Sequence, residues 1–240
     1  MSAPRKPLIV ALVLTIALAA LYRFVRPIWT PVYYALIGKR TVRGVVEEYG
    51  PGARARLAPH LERAGVEGTP SEITLIAIKD EDRLELWVGP AAKPTFVRAY
   101  PILAASGGKG PKLHEGDKQV PEGVYAIESL NPNSSYHLSM RVNYPNAFDL
   151  KHATAEGRDE PGSDIFVHGK AVSLGCLAMG DPAIEELFVL AADVGHEHIT
   201  LLIAPSDPRR APLVPEGPEW VAGLYATLTE AITPYPRPPE

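Results

Sequence analysis

Asp164-Ile-Phe-Val-His168-Gly169-Lys-Ala-Val-Ser173-Leu-Gly175-Cys176-Leu-Ala-Met-Gly-Asp181-Pro182 is the stretch on which the reading of this chain turns. It opens as a strand over Asp164–His168, crosses a short connection to the single cysteine of the chain, and runs into a helix. Asp181 is the expected cap and Pro182 the first helical residue. Ile184, Leu187, Phe188, Ala191 and Val194 mark one apolar face before Gly195 closes the helix. A lone cysteine cannot staple the chain with a disulfide, so the thiol is either a small buried apolar side chain or a chemical group. Its neighbours favour chemistry. Gly175 precedes the sulfur, Ser173 lies three residues back and His168 eight residues upstream. A thiol needs a base and local positive potential to become a thiolate near pH 7, and this neighbourhood offers both.

Outward from this stretch the pattern is mostly strand. Ile73–Ile78 and Leu84–Val88 flank an acidic turn, Thr95–Leu103 follows, and Val124–Ile127, Tyr136–Val142 and His198–Ala204 continue the series. Ser106-Gly-Gly-Lys109-Gly-Pro-Lys112 is a glycine-rich loop with two lysines. Thr41–Gly65 reads as two short helices broken at Gly50-Pro51-Gly52, Glu219–Ile232 as a peripheral helix, and Pro234–Glu240 as a loose tail. Many strands around one central helix, with no βαβ rhythm, make the expected fold mostly β with peripheral helices, an α+β architecture.

The net charge of −4 conceals an asymmetry. Residues 1–46 hold seven cations and no acid (Arg5, Lys6, Arg23, Arg26, Lys39, Arg40, Arg43), so the rest of the chain carries a net negative charge. A basic start before an acidic body suits contact with an anionic membrane surface. It argues against nucleic acid as a partner, which needs a cationic face. Arg5 and Lys6 precede the uncharged run Leu8–Tyr22, the layout of an export signal. As a helix that run spans about 22 Å at ~1.5 Å per residue, short of a ~30 Å hydrocarbon core. Ala17-Leu18-Ala19 offers a cleavage site. Arg23, Arg26 and the apolar run Ile28–Ile37 favour an uncleaved anchor instead, and a buried N-terminal helix is the plain alternative. In an oxidising compartment thiols are usually paired, which strengthens the case for a functional Cys176.

A strand ending in His168-Gly169, a short connection, Ser173-x-Gly175-Cys176 and a helix together resemble the YkuD-type L,D-transpeptidase domain, its YafK-like branch in particular. Further matching stretches run in order: Ser106–Lys112, Val120-Pro-Glu-Gly-Val-Tyr125, Leu130–Ser139, Tyr144-Pro-Asn146-Ala147 and Ala178–Pro182. The resemblance covers roughly residues 72–205. It implies a β-rich sandwich with a groove, one central helix after the cysteine loop, no cofactor, and action on peptidoglycan stem peptides. It also implies Cys176 as nucleophile and His168 as general base and acid. Leu174 stands where many members carry a second histidine, so the loop has no second titrating partner. The chain divides on this basis into a signal or anchor (1–38), a helical linker (39–70), the catalytic domain (71–206) and a Pro-rich extension with a short helix (207–240).

Attack on an amide carbonyl needs a nucleophile, a proton acceptor and donors for the oxyanion. The backbone N–H groups of Gly175 and Cys176 are candidates for the last, and a backbone carbonyl at Gly169 for orienting the imidazole. Ser173, Lys109, Lys112, Tyr144 and Asn146 are candidate substrate contacts. Each has a plain reading as well: loop hydrogen bond, solvated charge, groove wall or core. His196-x-His198 with Cys176 or His152 is a weak zinc alternative. The thioester formed on Cys176 passes to an amine in a transpeptidase and to water in a hydrolase that frees a peptidoglycan-linked envelope protein. A non-catalytic peptidoglycan-binding scaffold is the reading from a different class.

Overall fold

The computed structural model describes residues 38–238 together with Thr15 and Leu21, so the signal or anchor reading lies outside the described residues. Among the described residues no helix is long and apolar enough to cross a membrane. The strands are β1 (Ile73–Ile78), β2 (Arg83–Val88), β3 (Thr95–Pro101), β4 (Ala104–Ala105), β5 (Gly123–Asn131), β6 (Ser139–Val142), β7 (Phe166–His168), β8 (Leu177–Ala178) and β9 (Ile199–Ala204). The helices are α1 (Val42–Arg63), α2 (Ala147–Ala155), α3 (Asp181–Val194) and α4 (Val221–Ile232).

All nine strands join one sheet in the order β3-β2-β1-β9-β5-β6-β7-β8-β4. The pairs β1/β9 and β7/β8 are parallel and the others antiparallel. β1 is an unbroken apolar run buried along its whole length, as a strand covered on both faces should be. β5 bends the sheet. Gly123–Ala126 pair with β9, the register slips between Ile127 and Ser129, and the far half pairs with β6. One apolar cluster then takes Leu75 and Leu86 from one half of the sheet, Met140, Val167 and Leu177 from the other, and Ile184, Leu187 and Phe188 from α3. The expected mostly β, α+β fold is thus a single curled sheet with its main core under the central helix and a smaller apolar cluster of Ile76, Trp87 and Leu202 against Ile232 and Tyr235.

Three local expectations need correcting. α1 is one helix, not two, and runs through Pro51 and Pro59. Proline removes a helical donor and costs stability, but packing overrides it: Val45, Ala53 and Leu57 are buried, and Arg54 and Arg56 reach Asp193 and Glu186 of α3 at 2.6 and 2.9 Å. The segment expected as a linker is therefore part of the folded body. Asp181 is the first residue of α3, with Gly180 in the capping position and no side-chain cap. The proline-ended tail is not loose as far as it is described: Tyr235 is buried, and its hydroxyl meets Thr74 Oγ1 at 2.8 Å.

Candidate active site

Val167 and Leu177 point into the core, so strand alternation turns Phe166, His168 and Cys176 to the opposite face. The parallel register sets Val167 beside Leu177 and His168 beside Ala178. One step back along the same register, Cys176 falls opposite Phe166, on the face that carries His168. β4 runs antiparallel along the other side of β8, with Ala104 against Ala178 and Ala105 against Leu177. Ser106 follows directly after β4, and Cys176 directly precedes β8.

His168 is buried, and its Nδ1 lies 2.6 Å from the Gly169 carbonyl. A carbonyl only accepts, so Nδ1 carries the proton and Nε2 keeps its lone pair. Tyr136 tilts over the ring at 4.5 Å between centroids and forms a half-exposed wall. Burial lowers the pKa of His168 below the ordinary histidine value, against the pull of the Gly169 carbonyl. The imidazole is thus neutral at pH 7 and able to take a proton.

Cys176 Sγ approaches the carbonyl of Asp164 at 3.8 Å. Burial raises the thiol above its ordinary value and the Asp164 charge adds to this, while the Phe166 amide and the Lys112 ammonium pull it back. Positive potential is present, as expected, but burial outweighs it. The resting pair is therefore thiol and neutral imidazole, not a preformed thiolate, and no hydrogen bond joins the two side chains among those described.

The connection between them is tightly tied. Ser173 Oγ donates to the Cys176 carbonyl at 2.6 Å and accepts the Cys176 N–H at 2.9 Å. Gly175, at φ +105°, donates its N–H to Ser106 Oγ at 2.6 Å. Both backbone donors expected to face an oxyanion, the Gly175 and Cys176 N–H groups, are engaged by serine hydroxyls in this structure. At the other end of the connection, Lys170 N–H donates to the Asp181 carboxylate at 2.8 Å, and its carbonyl accepts from Gly180 N–H at 2.9 Å.

Of the five expected substrate contacts, one remains available. Lys109 is exposed at the loop tip, 3.5 Å from Asp80. Lys112 is buried and bonded to Asp117 Oδ1 at 2.6 Å and to the His114 carbonyl at 2.8 Å, so its influence on the thiol is electrostatic. Tyr144 is buried and donates to the Pro161 carbonyl at 2.8 Å. Asn146 caps α2 by accepting from Phe148 and Asp149. Ser173 serves the loop. The reason is common to these four: polar groups inside the fold are satisfied by the fold itself. Glu122, not foreseen, is a buried hub that accepts from Lys79 Nζ, Gly110 N–H and the Tyr225 hydroxyl at 2.7–2.9 Å, and so fixes the glycine-rich loop. An open cavity of about 190 Å³ runs along that loop past Ser106, Gly108, Lys109 and Asp80. Among the described residues no group of three or more His, Cys, Asp or Glu is placed to hold a metal.

A curled β-rich fold with a buried, oriented imidazole at the end of one strand and a single thiol just before its parallel neighbour defines a thiol–imidazole domain. The chain belongs to the YkuD family of L,D-transpeptidase catalytic domains, which matches residues 76–199 and so spans both groups. Over 123 residues it is 35% identical to the protein named "Putative L,D-transpeptidase YafK" from Escherichia coli strains K12 and O157:H7, covering 50% of this chain and 47% of theirs. The chain thus spans about half the length of the curated relatives it matches. The helical cell shape determining protein Pgp2 of Campylobacter jejuni superposes with a TM-score of 0.46 at 18% identity, over 62% of this chain and 55% of that one. Bd1075 of Bdellovibrio bacteriovorus gives 0.42 at 19%, over 68% and 56%. At such scores these two likenesses carry no argument.

Proposed function

We propose that this chain is a cysteine acyltransferase of the cell envelope that works on peptidoglycan stem peptides through a thioester on Cys176. The observation that carries the reading is the neutral imidazole of His168, locked by Gly169 with Nε2 unprotonated and placed on the same face as the only thiol. Family membership supplies the substrate class.

In this mechanism His168 Nε2 takes the thiol proton as Sγ bonds to the carbonyl carbon of the third stem residue, a diamino acid. General base assistance replaces a standing thiolate, because both groups rest neutral. The tetrahedral adduct collapses, the C–N bond breaks, and the leaving amine takes the proton back from His168. An amine acceptor then gives transfer, whereas water gives hydrolysis. The N-terminal segment exports the chain and holds it at the inner membrane.

The test is incubation of the full chain with purified muropeptides, with and without an added amine, followed by whole-protein and product mass spectrometry. The expected result is an acyl adduct on wild type, none on Cys176→Ala, and exchange of the amine into product. Release without exchange makes the protein a hydrolase. Unchanged muropeptides with no adduct would reject catalysis on this substrate and favour a scaffold.

A further inference from the structure

With both neighbouring amides engaged, the site needs another donor for the developing oxyanion. We propose that the Ser106 hydroxyl is that donor and a catalytic residue of this site. The proposal rests on the reading that Cys176 attacks an acyl carbon.

Ser106 and Ser173 differ in what they have left to give. A serine hydroxyl carries one proton and two acceptor lone pairs. Ser173 spends its proton on the Cys176 carbonyl. Ser106 accepts from Gly175 N–H at 2.6 Å, and among the described hydrogen bonds its own proton has no acceptor. A hydroxyl that accepts a short bond donates more strongly, because hydrogen bonds in a chain polarise one another. Gly175 N–H therefore acts on the oxyanion through Ser106.

Position agrees with this. Ala105 packs toward the core, so Ser106 turns to the face that carries Cys176. Ser106 follows directly on β4, Cys176 directly precedes β8, and the 2.6 Å bond from Gly175 N–H brings Ser106 Oγ alongside the residue next to the cysteine. Ser106 is half-buried, and the 190 Å³ cavity it lines with Ala105, Gly107 and Lys79 opens on the glycine-rich loop and does not include Cys176 or His168. Its backbone is held as well: the carbonyl accepts Val120 N–H at 3.3 Å, and Gln119 donates to the carbonyls of Gly108 and Gly110.

In the reaction the thiol proton goes to His168, the S–C bond forms, and the carbonyl π pair moves onto oxygen, where the Ser106 O–H meets it. On collapse the pair returns, the C–N bond breaks and the amine leaves with the proton. Ser106 starts and ends protonated.

The rival role is that of a latch which merely holds Gly175. The two roles separate because acylation passes through an oxyanion and alkylation by iodoacetamide does not. Wild type and Ser106→Ala are compared for Cys176 acylation by a p-nitrophenyl ester and alkylation by iodoacetamide, both followed by mass spectrometry. We expect acylation to fall about 10²-fold in Ser106→Ala, the scale of losing one oxyanion donor, with alkylation within about twofold and acylation largely restored in Ser106→Thr. Rates that fall together, or a ratio that stays put, would overturn the assignment. Ser106→Thr against Ser106→Val, matched in shape, repeats the comparison if alanine unfolds the loop. If wild type ignores muropeptides while the ester result holds, the substrate reading falls and Ser106 stands.

Discussion

Gly169 has an ordinary backbone conformation, so alanine meets no intrinsic strain there, yet the site has no room for a methyl group. A Cβ at this position lies 2.6 Å from Asp181 Oδ1, 2.6 Å from the Tyr136 carbonyl and 3.1 Å from His137 Cβ. Neither oxygen can swing aside, because one belongs to the backbone and the other carries Lys170 N–H. Reaching ordinary contact requires shifts of roughly 0.8 Å, and overpacking of this kind costs about 1–3 kcal/mol. The reduced freedom of the unfolded chain offsets about 0.4–1 kcal/mol. The net loss is about 1–2 kcal/mol, or ~2–8 °C in Tm for a domain of this size. Function should suffer more than stability, since the same shift draws the Gly169 carbonyl off His168 Nδ1 and releases the tautomer. Acylation of Cys176 should fall at least ~10-fold. The assay pairs thermal unfolding with ester acylation, and Gly223→Ala is the control. Gly223 lies exposed inside α4 with nothing within 4 Å, so alanine there should stabilise by about 0.5–1 kcal/mol. If Gly169→Ala matched that control in both Tm and acylation, the account of how the base is held would be wrong.

Burial raises Asp149 to about 6 from 3.8, although the Asn146 amide and Tyr125 pull it down. Its folded pKa thus exceeds its unfolded one, so the stability it supports is present at low pH and lost as pH rises from about 4 through 6. Asp149→Asn should flatten about 2–3 kcal/mol of pH dependence in urea unfolding between pH 4 and 7, and an unchanged slope would reject the assignment. Lys112→Met paired with Asp117→Asn removes the cation that favours the thiolate without stranding a charge. The pH midpoint of Cys176 alkylation should rise, and a fixed midpoint would show that the thiol does not feel Lys112. Glu122→Gln leaves Lys79 buried without its partner and should cost about 3–5 kcal/mol in denaturant unfolding, with earlier proteolysis at Gly107–Gly110. Equal stability would mean the hub holds nothing. His168→Ala should abolish acylation while the chain stays folded, and retained acylation would remove His168 from the mechanism.

The strands at 73–78 and 83–88 and the helix after Cys176 were legible because their apolar periods are long and clean. α2 was not, because Pro145-Asn146 reads as a turn until Asn146 and Asp149 are seen to close a capping box. β4 and β8 are two residues each, below the length at which alternation can be read. In the site, His168, Gly169 and Cys176 could be read because they share one short stretch. Lys112, Tyr144 and Asn146 were misread for a single reason: residue type is visible in a sequence, whereas burial is decided by distant partners such as Asp117 and Pro161. Ser106 did carry a signal, as a hydroxyl between an apolar strand end and a glycine run. Its importance depends on β4 lying beside β8, a pairing across some seventy positions of chain.

The parallel pair β7/β8 is joined by only residues 169–176, where parallel strands usually need a crossover of a dozen or more. Two left-handed positions, Lys170 at φ +59° and Gly175 at φ +105°, let so short a connection turn back. Base and nucleophile therefore stand at the two ends of one tether, and its length sets the gap between them. A single residue added between Gly169 and Cys176 changes the spacing on which proton transfer depends, so this tether should tolerate no change in length.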